Sequence, residues 1–472
     1  MRFLSLRSPE RNAALRALRK TAPQEESTSS TDSPQSPGRP IGLNPNQVLC
    51  LIDANKFYCA CERVFQPSLR GKPLVVLTNN DGCVAALTPE AKALGIKRGM
   101  PAFKFRKLVE EGKVEWRSSN YELYGSISKN IAEILSGMAL RIERYSIDEN
   151  FLDITGMPGS ATERARQMKD RVLQWQRIPT CVGIANTKTL AKLANHLAKD
   201  WPCFGGILNW LELTPPRQQK AMSITPITEV WGIGGQTAEG LEKIGVKTVL
   251  DFWTLNPSFV RARWGVVLER TWRELHGIPC IPFEENAKPR EQIVRSRAFG
   301  QPIKAKDAII SAVSKHMCDA AATLRRQRSI AKEVGVFFHT NFFRADLPQQ
   351  SVSPVITLPT ATADTLLLTR IGVGLVERFY RPGYAYQKAG VILSRIRSEA
   401  DASMPETLFD PEPDPEEARR RSLMQTLDGL ARVYGRGIVC TASTALASGW
   451  EAKHEKLSKR WITRPDEILR AS

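Results

Sequence analysis

The sequence predicts an α+β protein of several domains, on three observations. The chain is 472 residues long, more than one hydrophobic core usually organises, so about two to four domains are expected. Runs with strand character stand at 47–53 and 141–155, rich in residues that favour a pleated, half-buried surface. Between Thr187 and Lys199 the apolar residues Leu190, Leu193, Ala194 and Leu197 recur with helical spacing. Hydrophobic content of 42% and charged content of 25% are those of an ordinary globular protein.

The first strand-type run, Gln-Val-Leu-Cys-Leu-Ile-Asp at 47–53, is apolar up to its closing acid. It fits a buried central strand from whose end Asp53 emerges. In the second run, Ile142, Tyr145 and Ile147 precede Asp148 and Glu149, and Phe151, Leu152 and Ile154 follow them. The polar Asp-Glu-Asn reads as a hairpin tip, because a simple strand would throw neighbouring acids to opposite faces. Two adjacent carboxylates raise one another's pKa unless a cation holds them ionised; an ordinary solvated turn is the plain alternative. Together with Asp53, the pair could cage two Mg²⁺ ions, which are hard and take oxygen ligands. Two such ions roughly 3.5–4 Å apart activate an attacking oxygen and stabilise a leaving one.

Asp53-Ala-Asn-Lys-Phe-Tyr58 and Ser146-Ile-Asp-Glu149 resemble the two catalytic motifs of the Y-family, translesion DNA polymerases. Leu77–Val84, Ser118–Tyr124 and Gly183–His196 are similar to the UmuC branch, the catalytic subunit of bacterial DNA polymerase V. The resemblance spans about residues 47 to 472. It implies a right-hand polymerase with a palm, small fingers, a helical thumb and an α/β little finger.

The bulk numbers agree with such a partner. A net charge of +18 and a pI near 9.6 favour nucleic acid first and an anionic membrane surface second. No apolar run is long enough to span a bilayer. Nine cysteines, two of them in Cys59-Ala-Cys61, and five dispersed histidines argue against structural zinc and a disulfide framework and fit a reducing cytosol. By resemblance the protein is cytoplasmic, bacterial and nucleoid-associated.

Taken in order, residues 1–46 read as a basic, Ser/Pro-rich disordered leader, with a short basic helix conceivable at Met1 to Lys20. Residues 47–64 and 121–205 are the expected palm, and 65–120 the fingers. The aromatic at Tyr58 reads on its own as packed core; the resemblance places it under the incoming sugar, where it excludes a ribose 2′-hydroxyl. Ala54 would give a metal only its backbone carbonyl. Thr88-Pro-Glu-Ala-Lys-Ala-Leu-Gly95 reads as an N-cap, a first-turn proline and a glycine stop. Lys92 falls where the family places a basic residue on the nucleotide phosphates. Leu87, Thr88 and Pro89 depart from the Arg-Asn-Ala usual there, and Asn150 replaces a smaller residue.

Lys188, Lys192, His196 and Lys199 share one face of the 187–199 helix. Such a basic face is usually solvated; beside a phosphate-handling site it would clamp triphosphate or template backbone. Lys199 matches the family's triphosphate lysine. Residues 206–290 are the expected thumb, in which Val230–Gly245 resembles a helix-hairpin-helix. Gly232 and Gly234 would let hairpin N–H groups meet a DNA phosphate; an αα-hairpin with a glycine turn is the alternative. Residues 294–400 are the expected little finger, with Arg295 and Arg297 heading a basic cluster that would track the DNA backbone. Strand-like runs at 334–339 and 389–393 bracket a helix-like 364–380 there. Residues 401–472 are a UmuC-type tail. Its Leu408-Phe409 pair lies where relatives carry a sliding-clamp peptide, without the usual opening Gln, and 416–434 reads as a helix.

The resemblance implies template-directed nucleotidyl transfer from dNTPs onto primer–template DNA, error-prone and in SOS-type damage tolerance. Asp53 and Asp148 would bridge two Mg²⁺ ions and Glu149 would complete the one that activates the primer 3′-hydroxyl. A UmuD′-like dimer, RecA filaments and the β sliding clamp are the implied partners. An inactive polymerase-like adaptor or DNA-binding subunit, a nucleotide cyclase and a DNA-coating scaffold are the rival readings. The first would lack an acid, the second has no need of the hairpin and basic domain, and the third leaves the acids idle.

Overall fold

The structure, a computed structural model, describes residues 43–285, 288–400, 415–435 and 437–468. The leader up to residue 42 and the Leu408-Phe409 peptide lie outside the described residues. The described chain begins with β1 (Leu49–Ala54) and α1 (Phe57–Phe65). It then passes through β2 (Leu74–Leu77), β3 (Val84–Leu87), α2 (Pro89–Ala93), α3 (Arg106–Glu110) and β4 (Glu115–Ser118). Next come α4 (Tyr121–Ser136), β5 (Arg141–Arg144), β6 (Glu149–Asp153), α5 (Ala161–Gln176), β7 (Thr180–Ala185), α6 (Lys188–Asp200) and β8 (Ile207–Asn209).

These strands form two sheets. The larger runs β5-β6-β1-β7-β8, with β1 antiparallel to both β6 and β7. All six residues of β1 are buried, as an interior strand of apolar residues requires. Its side chains alternate between two cores. Cys50 and Ile52 join α1, α4 and α5 on one face, while Leu51 joins Leu190, Leu193 and Leu197 of α6 on the other. Burying each of those leucines stabilises the fold by about 2 kcal/mol. The smaller sheet, β3-β2-β4, stands within residues 74–118 and has β2 at its centre.

Helix α6 is capped by Thr187, whose side chain accepts a hydrogen bond from the Leu190 N–H. It can lie against the sheet because β7 carries Gly183 beneath it. A Cβ on Gly183 would stand 2.1 Å from the Ala191 carbonyl oxygen, which no side chain tolerates.

A helical segment follows, α7 (Pro215–Ile224), α8 (Gly235–Glu242), α9 (Val249–Trp253), α10 (Pro257–Trp264) and α11 (Val266–Leu275). Its core is continuous with the leucine face of α6. Beyond it lie β9 (Ile293–Ile303), α12 (Lys306–Arg326), β10 (Ser329–Thr340), β11 (Ser351–Val352), β12 (Val355–Thr362), α13 (Thr365–Phe379) and β13 (Tyr386–Ser398). The sheet runs β11-β10-β13-β9, with β12 also on β10, and α12 and α13 pack against it. Finally α14 (Pro415–Tyr434) meets the predicted 416–434 helix, and Arg325 of α12 holds it through a two-pronged contact to Asp428 at 2.8 and 2.7 Å.

Candidate active site

Register across the larger sheet decides where the acids go. Asp53 pairs directly with Glu149 between β1 and β6, and opposite residues of an antiparallel pair project from the same face. Leu51 pairs with Phe151, and Phe151 with Glu143 on β5. Glu143, Glu149 and Asp53 therefore share the face that α6 covers, one acid on each of three strands. Asp148 sits in the turn before β6, where its carbonyl accepts the Ala54 N–H at 2.9 Å. The predicted hairpin is present, with Glu149 as the first residue of its second strand.

Helix α6 crosses these strands and meets each acid with a lysine. Lys188 Nζ lies 2.8 and 2.6 Å from the two Glu143 oxygens. Lys192 Nζ lies 2.8 and 3.1 Å from those of Glu149. Lys199 Nζ lies 2.5 Å from Asp53 Oδ2. The basic face is thus turned onto the sheet's carboxylates instead of being simply solvated. His196, on the same face, stands 3.4 Å from Asp200 and 3.6 Å from Glu229. Burial pushes the Asp53 carboxyl up to about 6; Lys199 pulls it down, and the charges of Glu149 and Asp148 push it up.

One expectation needs correction. Lys188 was expected to reach DNA phosphates, but it is 2% exposed, held by Glu143 and by the Pro282 carbonyl at 2.6 Å. Its cation is consumed internally. Lys192 stays partly open, above the Tyr145 and Trp231 rings at 4.5 and 5.4 Å. Trp231 in turn donates to the Tyr145 hydroxyl at 2.9 Å, joining the glycine hairpin to the acid pair. Sequence reasoning missed both rings and the Ser146 hydroxyl. Ser146 lies 2.6 Å from Asp148 Oδ1 and accepts the Glu149 N–H at 3.1 Å. A serine two residues before an acid, a pattern of local side-chain turns, was its signal.

Tyr58 is half-buried, stacked on Tyr124 at 4.7 Å and edge-on to Tyr121 at 5.8 Å. Burial raises its hydroxyl pKa, with the nearby Tyr121 and the charge of Asp148 adding to the rise. Lys92 is exposed on α2.

The carboxylates are hard oxygen donors of the kind Mg²⁺ takes, and three of them with the Ala54 backbone surround one sheet end. By chemistry they fit. Among the described residues, however, no three His, Cys, Asp or Glu side chains are gathered closely enough to hold a metal ion. Lys199, Lys192 and Ser146 each draw one acid to themselves, so holding a cation requires those lysines to yield.

Residues 52–196 match the impB/mucB/samB family, 290–405 match its C-terminal domain, and 421–471 match a domain of unknown function. Protein UmuC of Salmonella typhimurium is 38% identical over 90% of this chain and 100% of its own. The chain belongs to the impB/mucB/samB family. It is UmuC-like, as its motifs led us to expect. DNA polymerase IV of Desulfatibacillum aliphaticivorans is 28% identical over 82% of this chain and 94% of its own. A Y-family DNA polymerase chimera of Dbh and Dpo4 shares the fold, with a TM-score of 0.58 at 23% identity over 74% of this chain and 99% of that one.

The sheet around β1, the β2 sheet, α7–α11 and the β9–β13 sheet stand where palm, fingers, thumb and little finger were expected. In the thumb, Gly232 takes φ 90, and Gly234 precedes α8 with open space around it. On β9, Arg295 donates to Thr323 of α12 at 2.9 Å. Arg295 is half-buried and shares the face of Ile293 and Phe299, which pack into the helices. Arg297 shares that parity and is exposed. Among the described residues no helix is long and apolar enough to cross a membrane.

Proposed function

We propose that the chain extends a DNA primer opposite damaged template, adding deoxynucleotides by two-metal nucleotidyl transfer in SOS-type damage tolerance. One observation carries this: Asp53 lies in register with Glu149, with Asp148 bonded to the backbone beside it. Such an arrangement unites two acids distant in sequence at one sheet end, where triphosphate and primer would meet. Two Mg²⁺ ions, when bound there, would activate the primer 3′-hydroxyl and neutralise the leaving pyrophosphate.

The chain's own residues do the rest by positioning and charge. Asp53, Asp148, Glu149 and the Ala54 carbonyl would hold the ions. Lys199, freed from Asp53, would turn to the triphosphate, with Lys92 closing from the fingers. Ser146 fixes the Asp148 carboxylate, and Lys192 with the Tyr145 and Trp231 rings keeps Glu149 in place until substrate arrives. Tyr58 would pack against the incoming sugar and exclude a 2′-hydroxyl. Gly232 and Gly234 would present hairpin N–H groups to the DNA backbone, and Arg297 would add a basic contact from the little finger. A UmuD′-like dimer, RecA and the β clamp are the partners we propose, the last through Leu408 and Phe409.

Primer extension across an abasic site tests this reading. The parent chain should insert opposite the lesion, and Asp148→Asn should abolish extension while leaving DNA binding nearly intact. Full activity in that variant removes the assignment.

A further inference from the structure

The stretch 441–468 has almost no regular structure, yet it holds two of the molecule's buried tryptophans. Trp450 is 4% and Trp461 6% exposed, and they are buried in different domains. Trp450 lies in the little-finger core, edge-on to Phe299 at 6.3 Å and His316 at 5.9 Å. Its indole N–H donates to Ser311 Oγ at 3.1 Å, and that hydroxyl lies 2.6 and 3.0 Å from the carbonyls of Thr444 and Ala447. Trp461 lies in the palm core, stacked on Phe65 at 4.9 Å.

Between these anchors the segment crosses the fingers with a bond at nearly every step. The Lys453 N–H donates to Asn80 Oδ1 and the Glu455 N–H to Asp81 Oδ2, both at 2.9 Å. Ser118 at the end of β4 donates its N–H to the Lys456 carbonyl at 3.0 Å and accepts the Lys456 N–H on its hydroxyl at 3.1 Å. Asn120 donates to the Ser458 carbonyl at 3.0 Å. The Ser458 hydroxyl then donates to Glu62, a fully buried carboxylate also held by the Tyr124 hydroxyl.

The receiving surfaces are shaped for this strap. Asn80 and Asp81 both adopt left-handed backbone, φ 62 and 50, which Asn and Asp tolerate better than other side chains. That turn aims both side chains at the segment. Asn80 also donates to the Ala298 and Phe299 carbonyls of β9, at 3.0 Å each, so one residue joins fingers, tail and little finger. Gly300 on β9 leaves the room the segment uses: a Cβ there would stand 2.7 Å from the Glu451 carbonyl oxygen.

We propose that the C-terminal segment, which matches a domain of unknown function, is an intramolecular brace. It holds the little finger in one orientation against fingers and palm, as a second connection beside the chain path through residues 276–292. A segment without its own secondary structure stays ordered only through such contacts, so cutting the strap anywhere along its length should free it as a unit. The inference stands on the fold and not on the catalytic reading, and its test needs no nucleotide.

The test is small-angle X-ray scattering with amide hydrogen exchange on the full chain and two variants. Trp461→Ala with Ser458→Ala removes the palm anchor. Asp81→Ala with Gly300→Ala disturbs the crossing at two steps and leaves the direct Asn80 bonds to β9 in place. Both should increase the maximum dimension and speed exchange at the Ser118, Lys453 and Glu455 amides, while β1 and β10 amides keep their protection. Unchanged scattering and unchanged Ser118 exchange in the second variant overturn the brace. So does loosening confined to the first variant, because Trp461 would then be palm core alone.

Discussion

Lys188 and Lys192 stand one helical turn apart, yet burial gives them different work. Lys188 and Glu143 have side chains only 3% and 9% exposed, so removing one leaves the other charged and unpaired in the core. Lys188→Met should destabilise the palm by about 3–5 kcal/mol, read from denaturant unfolding; Lys192→Met, at a partly open site, should cost far less. His316 makes a second residue-scale prediction. Burial against Trp450, with Arg297, Lys315 and Arg295 nearby, pushes its imidazole down from 6.5 to about 4. The unfolded ring binds a proton near 6.5 and the folded ring only near 4. Between those values the unfolded state therefore takes up more protons, and stability falls as pH falls. Comparing the chain with His316→Gln from pH 7 to pH 4 should show a loss of up to about 3 kcal/mol that the variant lacks. The three acids proposed as catalytic stood out in the sequence because each closes or opens a run with strand character. Glu143 could not be, because its pairing with Lys188 depends on strand register, which no local pattern records.

At the scale of elements, α6 organises the site. Its spacing was legible: the leucine stripe and the lysine face both follow from one period. Which way the lysine face points was not, since a basic stripe looks alike facing water, phosphate or carboxylate. The close seat of α6 on Gly183 was equally hidden, being a contact between elements. Gly183→Ala should push the helix off β7, costing about 3 kcal/mol, and should shift Lys199 from Asp53; thermal unfolding and a crystal structure of the variant check the two parts. Strands β9 and β12 escaped the sequence reading for another reason. Arg295 and Arg297 made β9 look like a basic surface patch, although Ile293 and Phe299 on the same face are fully buried. Helices α13 and α14 were legible from ordinary periodicity.

For the whole molecule, the +18 charge announces a polyanion but not where it lies. Lys188 and Arg325 spend their charge on Glu143 and Asp428, so the excess of 67 basic over 49 acidic residues is carried by other cations. The family and the fold class were legible through motifs. The strap was not, because its contacts join residues more than 330 positions apart, such as Asn120 and Ser458. The account as a whole turns on Asp53, Asp148 and Glu149 acting together at one sheet end. Single-turnover insertion of one deoxynucleotide, with primer–template affinity measured alongside, tests this in Asp53→Asn. The account predicts a rate lowered about a thousandfold or more at nearly unchanged DNA affinity. An insertion rate within a few fold of the parent's would contradict it.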